Sequence, residues 1–509
     1  MVFLFLLFSR VPFRFHAIGK PYIFEQMLDH FNPNDKRTFQ QRWYKNIGYG
    51  KTDVPRIIIY IGGEATLTER YITSGSIVEL SRNTNSYLFS LEHRFFGESM
   101  PFDELTTENL AYLTSDQALE DLASFITYIK SLYCTNSSCP VMVVGGSYPG
   151  TLSSYFRLKY PHMANFSWAS SAPVLVKNEF FEYDAHLAHV LNRTDPKCYQ
   201  NTRTLMKGFE EHPERLKALI GAEKSTNVVS HLSAVSDFIA GMIQYENVFK
   251  FLGKFCARQH DHPDEAAFFK TFHEFLNVTQ DSADDMDDLL KTNASIYTDY
   301  ADSRSWSWMT CNEFGWFQTA SGLLRPYQVN LTYSELVCQT LFGVGVAETQ
   351  EKRRVYGSQK PNSNMIVFTN GNVDPWSTIS ISNIENPSLG RYEFYINGSS
   401  HCSDLKEAGS SDTTDLLEKR KRIIQILESW MSEKCQSSCK YGECVMGTCK
   451  CRNGYYGDDC SYKHVSNRLF KAFATLVVGM PTLMMIIIGF AAWFLFKKDR
   501  EDNDIRTIP

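Results

Sequence analysis

An α/β architecture, a largely parallel sheet with helices on both faces, is what this 509-residue chain predicts, and three observations predict it. Short apolar runs that suit strands buried on both faces recur at 56–61 (RIIIYI), 86–91 (SYLFSL) and 140–146. Between the last two, Thr114-Ser115-Asp116-Gln117 forms a capping box, and Leu119, Leu122, Phe125, Ile126, Ile129 and Tyr133 follow at helical spacing. Finally, residues 141–156 (VMVVGGSYPGTLSSYF) pass from a strand pattern through a glycine-flanked bend into a helical one. Strand, helix and strand in repetition give helices on both faces of one sheet.

After Ala172 the texture becomes helical and charged, as in KGFEEHPERLKALIGAEK and DSADDMDDLLK. The strand signal returns at 364–369 (NMIVFT) and 391–396 (RYEFYI), and 413–432 reads as a closing helix. The expected organisation is an α/β sheet domain in two parts, 20–175 and 326–432, interrupted by a helical cap at 176–325. A small cysteine-rich unit at 433–462 follows. The acidic run 284–288 is a solvated helix start, favourable to the helix dipole.

A net charge of −6 and a pI near 6.1, with no basic stripe, exclude nucleic acid as the partner. Thirteen cysteines, six of them Cys435, Cys439, Cys444, Cys449, Cys451 and Cys460, point to an oxidising compartment. Asn-x-Ser/Thr sequons at Asn136, Asn165, Asn192, Asn277, Asn293, Asn330 and Asn397 agree with passage through the secretory pathway. The stretch 472–496 carries no charge and is followed by Lys497-Lys498-Asp499-Arg500, the pattern of a single transmembrane helix with 497–509 as a cytosolic tail. A buried core helix is the weaker reading, because so long a charge-free run exceeds ordinary core helices. With an apolar run at 2–8, residues 1–19 read as a signal peptide, which makes the chain a type I membrane protein of the cell surface or endolysosomal system.

The bend at Ser147 has the form of a nucleophile elbow, which exposes a serine hydroxyl at the C-terminal edge of the sheet. The N–H of Tyr148 then faces the oxygen of a reacting carbonyl, and the loop after 56–61 supplies a second oxyanion donor at Gly63. Proline at 149, where the G-x-S-x-G pattern has glycine, suits the first turn of a helix. In this architecture the acid and then the histidine follow the serine, each just past a later strand. NMIVFT leads to Asp374 and RYEFYI to His401, so Ser147, Asp374 and His401 fit as nucleophile, orienting acid and general base. His93 also follows a strand, but it precedes the serine and reads as packing. Glu64 is a candidate for a substrate amine or, equally, a structural carboxylate. His260-Asp261-His262 lacks a further ligand cluster, and neither metal nor cofactor is expected.

The ordered motifs QMLDHFN (26–32), TFQQRWYKN (38–46), Gly62-Gly63-Glu64, EHRFFGES (92–99), YLTSDQALEDLASFI (112–126), GGSYPG (145–150), NGNVDPWS (370–377) and SSHCSDL (399–405) resemble the prolylcarboxypeptidase and dipeptidyl peptidase II family of serine peptidases, with the thymus-specific serine protease branch nearest. The resemblance spans about 21–432 and implies an α/β-hydrolase fold with a helical cap, cleaving peptide substrates after proline or similar residues near a chain end. It places the same three residues in the triad, and it maps a proline-accepting pocket onto Thr151, Trp316 and Trp376, of which Thr151 is small and polar where the family often has methionine. Residues 435–460 resemble an epidermal-growth-factor-like module, whose pattern pairs Cys435 with Cys444, Cys439 with Cys449 and Cys451 with Cys460; a zinc knuckle is the weaker reading. Cys134 and Cys139 fit a short closure, and Cys198, Cys256, Cys311 and Cys338 pair among themselves, one arrangement being 198–256 and 311–338. Cys402 is left over, as a free thiol beside His401 or an inert buried one. A homodimer and an extracellular partner of the small module stay open, and the rival to an enzyme is a hydrolase-fold adhesion receptor.

Overall fold

The computed structural model describes residues 20–463 except 52–54, 135–138, 221–226, 262, 277–293, 298–299, 382–383, 432–438, 446–447 and 458. The expected signal, transmembrane span and tail, the run 284–288, His262, Asn136, Asn277 and Asn293 lie outside the described residues. Among the described residues no helix is long and apolar enough to cross a membrane. The chain divides after residue 432 into two units.

The first unit is built on one sheet. Its strands are β1 (Tyr22–Met27), β2 (Thr38–Asn46), β3 (Ile57–Ile61), β4 (Tyr87–Leu91), β5 (Val141–Gly146), β6 (Phe166–Ser170), β7 (Ile366–Gly371) and β8 (Arg391–Ile396). They lie in the order β1-β2-β4-β3-β5-β6-β7-β8. Only β1 with β2 and β2 with β4 are antiparallel; every other neighbouring pair is parallel. This is the α/β-hydrolase arrangement, with β5 near the centre. The apolar runs of β3, β4 and β5 are buried at every position, as a strand covered on both faces requires.

Successive side chains along these strands feed two cores. Ile57, Ile59, Phe89 and Val143 pack on one face with Leu122, Phe125 and Ile126 of α2 (Ser115–Tyr133) and Leu152 and Phe156 of α3 (Tyr148–Lys159). Ile58, Leu88, Met142 and Val144 pack on the other with Ile77 and Leu80 of α1 (Ser76–Thr84) and Ile423, Leu427 and Trp430 of the closing helix at Thr414–Met431. Thr114 caps α2 by accepting from the Gln117 N–H, so the capping box forms as a cap.

Three strands were not evident from apolar runs. β1 and β2 bury polar side chains: Gln26 donates to Gln41 at 2.9 Å, and Gln41 to the Glu92 carbonyl at 2.7 Å. In β6 (FSWAS), Ser167 meets Ser153 at 2.7 Å and the Trp168 Nε1–H donates to Asp404 at 3.1 Å. Such strands satisfy their polar groups one by one, which hydrophobic periodicity does not register.

After β6 the chain leaves the sheet. A short strand at Lys177–Glu179 pairs with Gly315–Phe317, and between them lie α4 (Phe181–Thr194), α5 (Pro196–Glu211), α6 (Val228–Gln244) and further helices up to Met309. Cys198–Cys256 and Cys311–Cys338 are disulfides, and Cys134–Cys139 closes the end of α2.

In the second unit a hairpin pairs Gly442–Val445 with Thr448–Cys451, and Cys439–Cys449 and Cys451–Cys460 are disulfides, as the resemblance implied. The third expected bridge, between Cys435 and Cys444, is not among the described disulfides. Cys435 falls within 432–438, outside the described residues, and the Cys444 backbone pairs with that of Cys449 in the hairpin.

Candidate active site

The sequence GGSYPG bends because it has almost no side chain where strand meets helix. A Cβ on Gly145 would lie 2.1 Å from the Pro149 carbonyl oxygen, so β5 approaches α3 only with glycine there. Ser147 sits in the turn with φ 65° and ψ −134°, a conformation that costs a non-glycine residue roughly 1–3 kcal/mol and is typically kept where function holds it. Its N–H donates to the Ser170 carbonyl at 2.9 Å and its carbonyl accepts from Thr151 at 3.1 Å, so β6 and α3 fix the turn.

Asp374 and His401 lie just past β7 and β8. His401 Nδ1 and Asp374 Oδ2 are 2.8 Å apart, and Asp374 Oδ1 accepts from the Trp376 N–H at 3.0 Å. Both side chains are buried. With Nδ1–H donating to the carboxylate, Nε2 carries the lone pair, and this buried atom has no hydrogen-bond partner. Burial lowers the proton affinity of the imidazole, but the Asp374 carboxylate and the neighbouring Cys402 raise it, and the net direction is upward.

The histidine loop is tied to the elbow. The Cys402 N–H donates to Ser171 Oγ at 2.9 Å, and a Cβ on Gly146 would stand 2.9 Å from Cys402 Sγ. Asp404 is the buried fastening: it accepts from Ser170 Oγ at 2.5 Å, Thr369 Oγ1 at 2.6 Å and Trp168 Nε1, joining β6 and β7 to this loop. Helix α6 reaches the same place, for the His401 N–H donates to the Gln244 carbonyl at 2.9 Å. Gln244 Oε1 then accepts from Trp376 Nε1 at 2.9 Å and Tyr183 Oη at 2.5 Å. Neither Asp404 nor Gln244 was identified from sequence; Asp404 stands in SSHCSDL, whereas nothing around Gln244 marks it.

Gly63 touches the elbow, since a Cβ there would lie 2.5 Å from Pro149 Cγ. Glu64 follows it, half-buried, and burial lifts its carboxyl to about 7 although its own N–H and nearby His401 pull it down. The Tyr148 side chain turns inward, its hydroxyl 2.9 Å from His93 Nε2, while His93 Nδ1 lies 2.7 Å from the Arg94 carbonyl. Burial first, against that carbonyl, depresses His93 to about 4, so it is a neutral packing group.

Trp316 and Trp376 both stand in an aromatic group. Trp316 stacks on Phe314 at 4.4 Å and meets Trp376 at 6.0 Å and 82°, and Trp376 lies 6.4 Å from the His401 ring. Thr151 is fully buried, and its hydroxyl is spent on the Pro173 carbonyl at 2.7 Å. Cys402 is a free, partly exposed thiol. His260 pairs with Asp195 at 2.9 Å. Of the described sequons, Asn192, Asn330 and Asn397 are exposed, and Asn165 is half-buried with Oδ1 accepting from Val141.

The family described as serine carboxypeptidase S28 matches residues 26–423, a span that holds the elbow and both partner loops. The chain belongs to the serine carboxypeptidase S28 family. It is 30% identical to the probable serine protease EDA2 of Arabidopsis thaliana, over 83% of this chain and 91% of that protein. It is 28% identical to the thymus-specific serine protease of Mus musculus, over 82% and 88%, and 24% identical to the lysosomal Pro-X carboxypeptidase of Pongo abelii, over 83% and 91%. This S28 member is a serine-type peptidase.

Proposed function

We propose that the protein is a serine exopeptidase that cleaves peptides near a chain end, after proline or a similar small residue, with Ser147, His401 and Asp374 as its catalytic triad. The observation that carries this is the buried Asp374–His401 hydrogen bond of 2.8 Å, which leaves Nε2 free. Ser147 Oγ attacks the scissile carbonyl while Nε2 takes its proton, and the proton passes to the leaving amine as the carbon–nitrogen bond breaks. Water then hydrolyses the acyl ester by the same route. The Tyr148 and Gly63 N–H groups stabilise the oxyanion. Trp376, 6.4 Å from the His401 ring, supports a preference for a compact apolar ring such as proline on the acyl side, with the fully buried Trp316 packed behind it against Phe314. Because the Thr151 hydroxyl is committed to the backbone, we assign it no polar contact with substrate.

The disulfides and the lysosomal Pro-X carboxypeptidase among the relatives support a lumenal catalytic domain in the secretory pathway. The charge-free run 472–496 supports a single-pass tether, and the paired cysteines after 438 an EGF-like module in which Cys435 and Cys444 form the remaining bridge. Fluorophosphonate labelling of the purified protein, with Ser147→Ala as control, tests the enzyme reading. Labelling that requires Ser147 is expected, and its absence in folded protein would leave the adhesion-receptor reading.

A further inference from the structure

The two aromatic neighbours of His401 belong to different groups. Trp376 joins the apolar set with Phe180, Tyr183 and Trp316. Tyr245, edge-on to the imidazole at 5.7 Å and 90°, joins a polar set. That set comprises Glu64 and the phenols of Tyr60, Tyr71 and Tyr245, all within electrostatic reach of Glu64, with Tyr60 and Tyr71 stacked at 4.5 Å; the Tyr148 hydroxyl is spent on His93. Where the apolar set takes the acyl-side residue, the polar set is left for the leaving group, which receives its proton from His401.

Glu64 is singular in this group. It lies one residue from the glycine packed on Pro149, and among the described residues it has no Lys or Arg partner within ion-pair distance. Among those residues His401 is the one cation bearing on it; Arg70 acts instead on Tyr71, and Arg70 and Cys402 both act on Lys406. A half-buried carboxyl with no Lys or Arg partner, whose one cationic influence is an imidazole that is neutral when it acts as base, is built to carry its proton and donate it.

Resting on the peptidase reading above, we propose that Glu64, as the neutral acid, donates a hydrogen bond to the terminal carboxylate of the substrate's last residue and so makes the enzyme a carboxypeptidase. A second carboxyl recognises a carboxylate only while protonated, and Glu64 titrates at about 7. From pH 5.5 to 8 its neutral fraction falls about tenfold, while the substrate carboxylate keeps its charge throughout.

The test compares an N-blocked X-Pro-Phe peptide bearing a free C-terminal carboxylate with the same peptide as its C-terminal amide, through the ratio of their kcat/KM values. Titration of His401 affects both peptides and cancels in the ratio. The wild type should favour the free acid at pH 5.5 and lose about tenfold of that preference by pH 8. Glu64→Gln, a donor at every pH, should hold the ratio constant, and Glu64→Ala should be low at both. A ratio that does not fall in the wild type, or that falls equally in Glu64→Gln, overturns the assignment. A pH effect of Glu64 confined to substrates with a free N-terminal amine would place amine recognition there instead and also overturn it. Hydrolysis of both peptides with a flat ratio sinks this inference alone, whereas loss of Ser147-dependent labelling and of all hydrolysis sinks the peptidase reading with it.

Discussion

Asp374 does two things with two oxygens. Oδ1 holds the start of the next turn through the Trp376 N–H, and Oδ2 holds the His401 tautomer. An amide in its place keeps the volume but presents a donor or a weaker acceptor to Nδ1, which favours the wrong tautomer and no longer stabilises the imidazolium. Asp374→Asn should therefore lower kcat by roughly 10³–10⁴ with little change in KM, measured on an X-Pro-anilide or a C-terminal Pro-X peptide. A loss under about tenfold would remove Asp374 from the triad. The placement of this residue and of His401 was legible in sequence because each comes a few positions after a strand pattern, the largely buried NMIVFT or the half-exposed RYEFYI. Glu64 was legible only as a candidate, since whether a carboxyl next to a Gly-Gly turn finds a cation depends on residues 71, 245 and 401 folding around it.

At the scale of elements, the elbow could be read from the sequence because its constraint is local: glycine, serine and glycine within six positions. The contact between α6 and the site could not, because it joins residues more than a hundred positions apart. The Gln244 carbonyl takes the His401 N–H, while its side-chain oxygen takes the indole of Trp376 and the hydroxyl of Tyr183. Helix α6 thus positions both the imidazole and one wall of the aromatic group. Gln244→Ala would orphan two buried donors, at about 1–3 kcal/mol each. The expected outcome is a lowered thermal midpoint together with a rise in KM for Pro-X substrates, since Trp376 loses its anchor. Gln244→Glu, which keeps the acceptor, should restore KM more than Ala does; equal KM in all three proteins would deny α6 this positioning role.

Over the whole molecule, buried titratable groups set the pH at which the fold is most stable. Burial raises Glu64 to about 7, Glu92 to about 6 and Asp302 to about 6, above the 4.5 and 3.8 of free side chains. In the window from about pH 4.5 to 7 the folded protein therefore holds more protons on these groups than the unfolded chain does, and stability falls as pH rises. His401, shifted upward, adds to this fall above about 6.5. His93, depressed to about 4, and His186, also depressed by burial, act oppositely, gaining stability as pH rises towards 6.5. Asp121 and Asp237, held low by Arg94 and Arg325 despite burial, are ionised in both states across the window and contribute no slope. Below about pH 6.5 the three raised carboxyls against the two histidines leave a net uptake of about one proton, worth ~1.4 kcal/mol per pH unit, to which Glu246, also raised by burial, adds; above that pH His401 adds to the fall. Glu92 and Asp302 also accept from the Leu67 and Gly97 N–H groups, so the slope is concentrated around the loop that carries Gly63 and Glu64. Denaturant unfolding should show the S28 domain more stable at pH 5 than at pH 7.5 by about 1–3 kcal/mol, and Asp302→Asn, which removes one titrating group, should flatten that difference. A domain more stable at pH 7.5 would mean that the histidines, not the carboxyls, dominate its proton balance.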